Sequence, residues 1–285
     1  MTGVQGDLFL EPGPTGIDAV LAETADRIDE LYRAAKEPGA TPPWASLFNR
    51  ISGHTHMAPF NLMLADIQRP GARYVAFPDK WREIGREVKP GSVPIVVLWP
   101  FCPVRCAYEL ADTTGPKEED AVLDRVFGEP HEIKAGMSEK LARRAEKEDQ
   151  ISTSFVKMAS GRGGDARAVP NSTGAKGTST AARWLVRINS DLNQAASFRI
   201  LVHELAHIYL GHQGGNGKKW PHRRPEGLDA REFEAEAVSF IVGRRFGLHT
   251  NSAEYLNAYV KENTLEHVSF STIARAAGRI EQHAR

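Results

Sequence analysis

Two histidines four apart, with a glutamate beside the first, stand among mostly apolar residues in the stretch SFRILVHELAHIYLGH, Ser197 to His212. On a helix, His203 and His207, four residues apart, leave one face together. Glu204 stands about 100° round from His203, beside that face. This H-E-x-x-H order suits a hydrolytic metal centre. Two neutral imidazoles ligate one Zn²⁺, and the carboxylate works on a water at the ion. A pair of satisfied core histidines would explain the imidazoles alone. It would leave Glu204 in an apolar segment, where an unpartnered carboxylate is costly or becomes protonated. A cation answers all three groups together.

A catalytic zinc usually has three protein ligands and one open position. After His207 the chain reads IYLGHQ, with the glycine one place late and the histidine one place early for the pattern H-E-x-x-H-x-x-G-x-x-H. His212 therefore reads as a helix-end or loop residue, or as part of the cleft wall. The other source is DAREFEAEAVSFIVGRRFGL, Asp229 to Leu248, where Phe233, Ala237, Phe240, Ile241 and Phe246 keep a helical rhythm and Gly247 ends it. Glu232 and Glu236 share one face, so one can ligate while the other accepts an imidazole N–H. Glu234 points the opposite way and is expected in solvent. EFEAE resembles the E-x-x-A-D pattern of gluzincin peptidases. The resemblance implies Glu232 as the ligand and Glu236 behind it, in place of an aspartate one methylene shorter.

The elements that must hold these groups read as follows. AARWLVRINSDLNQ predicts a strand from Ala182 to Ile188, then a turn in which Ser190 or Asp191 caps the H-E-x-x-H helix. That strand is read either as the sheet edge on which an extended peptide lies or as an interior strand. Gly211 to Gly227 is a Gly- and Pro-rich loop joining the two ligand helices, expected to be mobile in its middle and to present Lys218, Lys219, Arg223 and Arg224. His222, Arg223 and Tyr209 are the candidate transition-state stabilisers. Ser160 to Thr180, rich in Gly, Ser and Thr, reads as a loop.

Earlier in the chain, residues 17–36 predict an acidic amphipathic helix and 44–52 and 58–68 two short ones; RPGARYVAF turns into a strand and PDKWREIGR is a short helix. IVVLWP looks like a buried strand with RCAYELADTTG as its partner, and 115–150 is charged and mainly helical. Lys and Arg equal Asp and Glu at 36 each, so no overall charge drives the chain toward nucleic acid. Residues 151–230 nonetheless carry eleven basic against five acidic groups, compatible with weak phosphate contact. No apolar run is long enough for a membrane span, and the start lacks the pattern of a signal peptide. The expectation is a cytoplasmic protein. Cys102 and Cys106, the only cysteines, lack the second pair of a structural zinc site.

The segment from Leu47 to Pro100 resembles the N-terminal module of ArdC-type antirestriction proteins. The resemblance rests on Asn61, Gln68, Pro70, Ala72, Trp81, Gly85, Arg86, Val88, Lys89, Gly91, Ile95 and Pro100, in order. It implies single-stranded DNA binding, with an H-E-x-x-H peptidase domain following. Arg73, Lys80, Arg82, Arg86 and Lys89 would meet phosphates, and Trp81, Tyr74 and Phe77 would stack on bases. A tryptophan at the start of a short helix is also a common core anchor.

Together these readings give an α+β chain in four parts: an acidic helix in 1–43, the ArdC-like module in 44–114, a helical connector in 115–150 and a gluzincin-type domain in 151–285. That last domain resembles ImmA/IrrE-type peptidases. The function expected is zinc-dependent peptide hydrolysis on a protein or peptide substrate, with Glu204 as the base. The alternative is a DNA- or protein-binding antirestriction or regulatory protein whose zinc is structural.

Overall fold

A computed structural model describes residues 27–33, 42–99, 104–117, 119–159, 161–169, 183–217, 219–248, 253–261 and 264–285. The architecture is α+β. Helices α1 (27–33), α2 (Pro43–Gly53) and α3 (Pro59–Gln68) are followed by β1 (Val75–Ala76), α4 (Pro78–Glu83), β2 (Glu87–Val88), β3 (Ile95–Leu98), β4 (Val104–Glu109) and β5 (Thr113–Thr114). Then come α5 (Asp120–Gly128), α6 (Met137–Asp149), β6 (Ile151–Val156), β7 (Gly164–Ala168), β8 (Trp184–Asn189), α7 (Gln194–Tyr209), α8 (Leu228–Arg245) and α9 (Phe270–Ala284). Proline opens α2, α3 and α4, where its missing N–H costs the helix nothing.

The first sheet has the order β1-β4-β3, and β2 pairs separately with β5. Ile95 and Val97 face the core, while Val96 and Leu98 face outward, so β3 is half-buried. Its outer edge is closed by side chains of α3. Asn61 bonds both backbone groups of Leu98 at 3.0 and 3.1 Å, and Gln68 those of Val96 at 2.7 and 2.9 Å.

The second sheet has the order β6-β8-β7, β6 parallel and β7 antiparallel to β8. The strand before α7 is therefore central, and β6 and β7 are the edge strands. Residues 164–168 lie inside the stretch read as a loop; with Gly, Ala, Asp and Arg they carry no apolar alternation to betray a strand. Of that stretch, Ser160 and 170–180 are outside the described residues, as are 17–26 and 34–36 of the acidic helix and Cys102.

One hydrophobic cluster runs through α2 and α3 into α7, α8 and α9. Trp44 of α2 meets Phe233 of α8 edge-on at 5.2 Å, and Phe48 meets Phe270 of α9 at 6.0 Å. Arg245 at the end of α8 is fully buried; it pairs with Glu281 and donates to the carbonyls of Ile51, His54, Thr55 and Met57. Residues before and after 114 both contribute to this cluster, and a smaller one joins Tyr74, Ala76 and Trp81 to Leu123 and Phe127. Among the described residues, no helix is long and apolar enough to cross a membrane.

Candidate metal centre

Asn193, not Ser190 or Asp191, caps α7: its side chain accepts the N–H of Ala196 at 2.9 Å. From there α7 runs through the core with Phe198, Leu201, Val202, Leu205 and Ile208 buried. His203 and His207 emerge together, their rings 5.0 Å apart and their Nε2 atoms 3.3 Å apart. Glu232 of α8 faces them, with Oε2 3.5 Å from His203 Nε2 and Oε1 3.7 Å from His207 Nε2. Donors about 2.0–2.1 Å from a tetrahedral ion lie roughly 3.3–3.4 Å from one another. The triangle is close to that size, and its nitrogen and carboxylate donors suit a zinc-like divalent ion. These are the three residues that, among those described, can hold a metal together.

The surroundings polarise the donors differently. Glu236 Oε2 lies 3.2 Å from His203 Nδ1, and its other oxygen takes Arg199. Burial opposes charge on His203, but Glu232 and Glu236 outweigh it and push the imidazole up to about 9. Burial and the charge of His203 hold His207 well below the ordinary imidazole range. Glu204 is pushed up to about 7, first by burial and then by the charges of Asp165 and Glu232. A carboxyl near neutrality can take and return a proton.

Glu204 lies against β7. A Cβ on Gly164 would come within 3.2 Å of Glu204 Cγ and 2.9 Å of Ile200 Cγ2, so a glycine lets the strand approach α7. Asn189 donates to Gly163 O, and Val169 donates to Arg183 O. With that register, Gly164, Ala166 and Ala168 turn their backbone groups away from β8, toward the open edge.

His212, Glu234 and Arg223 sit behind His207. His212 is buried, with Nδ1 2.9 Å from His207 Nδ1 and Nε2 2.7 Å from Glu234 Oε2. Glu234 is not solvated; it is fully buried because α8 is packed on nearly every side. Arg223 bonds it at 3.0 and 2.9 Å, so this guanidinium is not free to stabilise a transition state. Tyr209 points to Asp149 at 2.9 Å, away from the triangle, and His222 is exposed on the loop. The interhelical loop is tied down. Trp220 is buried, and Lys219 reaches Asp149 at 2.9 Å and the carbonyl of Glu148. Lys218 lies outside the described residues.

On the triangle's side, sequence reading missed Tyr255 and Tyr259. Their hydroxyls are 3.4 Å apart. The bond to Tyr255, burial and the charges of Glu236 and Glu232 raise the Tyr259 phenol. No H-E-x-x-H-like spacing marks such residues in the sequence.

In the first sheet, Trp81 and Tyr74 are buried and cannot stack on bases. Trp81 donates to Tyr108 O at 3.0 Å and Tyr74 to Asp124 at 2.7 Å. Arg86 is buried as well, spent on Thr113 Oγ1 at 2.8 Å and on the carbonyls of Thr113 and Pro116. Phe77 is covered by Arg105, 3.8 Å from its ring centroid. Arg73 is paired with Asp120 and Asp124, Lys80 with Glu83 at 2.7 Å, and Lys89 bonds Ala111 O at 2.8 Å. Arg82 is exposed.

The arrangement is a two-histidine, one-glutamate candidate metal site on an α+β scaffold. No protein-family model matches the chain, and no curated protein does. It is similar to two crystal structures of the antirestriction ArdC protein from plasmid R388. The Mn(II)-bound form is 14% identical with TM-score 0.35, covering 86% of this chain and 98% of that one. The metal-free form is 14% identical with TM-score 0.38, covering 91% and 97%.

Proposed function

We propose that this chain is a zinc-dependent peptidase of the gluzincin type, with His203, His207 and Glu232 as ligands and Glu204 as general base. The observation that carries the reading is the donor triangle with Glu204 beside it, pushed up to about 7. A divalent ion held by His203, His207 and Glu232 would supply Lewis acidity to the reacting groups. Glu204 takes the proton from the attacking water and returns it to the leaving amine. The edge of β7 offers Gly164, Ala166 and Ala168 to an extended peptide, which binds by adding a strand.

A second reading has support of its own. The ligands stand on α7 and α8, two core helices, so an ion also braces the scaffold. In that reading the chain is an antirestriction or regulatory protein that acts by binding a protein or single-stranded DNA. Arg82, with Lys80 and Lys89, would be its phosphate contacts on the first sheet's side. Glu204→Gln separates the two. Peptidase action predicts unchanged zinc content and a rate lower by about 10²–10⁴, followed by mass spectrometry on a peptide library. Full biological function in that variant would favour the binding reading.

A further inference from the structure

We infer that His212, Glu234 and Arg223 form a hydrogen-bond relay that fixes His207 as its Nδ1–H tautomer and keeps the Nε2 lone pair on the metal position. The inference rests on the metal-site reading above and makes His212 a positioning residue.

The direction of each bond follows from Glu234. An ionised carboxylate only accepts. Glu234 accepts from both terminal nitrogens of Arg223, from Ser269 N at 2.7 Å and from His212 Nε2 at 2.7 Å. His212 therefore carries a proton on Nε2. In a neutral ring its Nδ1 is then an acceptor, and the atom 2.9 Å away is His207 Nδ1. His207 must donate there, which leaves Nε2 bare, 3.3 Å from His203 Nε2. Arg223 pairs with Glu234, and the side chains of His212 and Glu234 are 1% and 0% exposed.

The backbone places the relay. Gly211 has φ +83°, and the turn brings His212 beneath His207, with His212 N donating to His207 O at 3.0 Å. Arg223 N donates to Gly211 O at 3.2 Å, so the loop returns against the turn and delivers its guanidinium to Glu234. A side chain at Gly211 would put Cβ 2.2 Å from Pro221 O.

The test uses the full chain with zinc and a chromophoric chelator in competition. His212→Phe removes the acceptor and should weaken zinc binding about 10- to 100-fold, as loss of such an outer partner typically does. His212→Gln supplies an oxygen for His207 and an N–H for Glu234, and should recover most of the loss. Long-range proton–nitrogen spectra of the metal-free wild type should show His207 protonated at Nδ1. A proton on His207 Nε2 would overturn the relay, as would wild-type zinc affinity in a folded His212→Phe. If the wild type binds no zinc, the metal reading fails, and the tautomer spectrum still decides the relay. If His212→Phe does not fold, His212→Gln and the spectrum decide it.

Discussion

Asp149 and the His203–His207–Glu232 triangle are both polar clusters packed against α7, and they are completed differently. Asp149 is fully buried, yet every group around it is a donor: Tyr209 Oη and Lys219 Nζ at 2.9 Å, Arg279 Nε at 2.9 Å and His283 Nε2 at 2.8 Å. In the triangle, two imidazole nitrogens and a carboxylate stand 3.3 to 3.7 Å from one another. The first cluster is closed by the chain itself. On the reading proposed above, a metal ion would close the second. Burial of charge alone therefore does not mark a functional site.

The comparison breaks if the two clusters respond alike. Removing the Asp149 charge, as Asp149→Asn, strands several cationic donors, and should cost about 3–5 kcal/mol in urea unfolding, with or without chelator. Stability linked to zinc should behave in the opposite manner. At a free zinc concentration 1,000 times the dissociation constant, the wild type should gain about 4 kcal/mol, a gain that chelator removes. His203→Ala should lose that gain and differ little from wild type in chelator. A loss in chelator as large as that of Asp149→Asn would mean that the triangle is closed without an ion.

Acid sharpens the contrast. Burial works to raise the Asp149 carboxyl, but His283, Arg279 and Lys219 outweigh it and hold it well below the usual range. Its folded pKa is depressed, so its contribution is fully present above the unfolded value near 4 and is lost as pH falls from there toward the folded value. The slope is at most about 1.4 kcal/mol per pH unit for this one group. Unfolding followed between pH 5 and 2 should show that loss in metal-free wild type, with a shallower slope in Asp149→Asn.

That His203 and His207 leave α7 on one face was legible because i and i+4 on one helix share a face whatever the tertiary structure. Glu236 behind His203 was legible for the same reason, on α8. Glu234 was not. A helical wheel shows only that it opposes Glu232, and α8 is buried on that side too. His212 fits no ligand spacing; it reaches His207 only because Gly211 turns the chain. Both readings of the strand before α7, edge and interior, were open in the sequence, and the pairing of β8 with β6 and β7 selects the interior one. Both readings of Trp81 were open in the sequence, and packing against Tyr74 and Phe127 selects the core one.

Arg245 bears on how such a chain can change. Its guanidinium holds four carbonyls between Ile51 and Met57, almost two hundred positions earlier, and its counter-ion Glu281 comes from the last helix. Residues 44–114 are thus not a cassette that recombination can transplant by itself. A graft would leave a buried cation without its acceptors in one product and open backbone in the other. Drift within this chain is correspondingly constrained: substitutions around the α2–α3 turn and at the ends of α8 and α9 have to be accepted together, however far apart they stand in the gene.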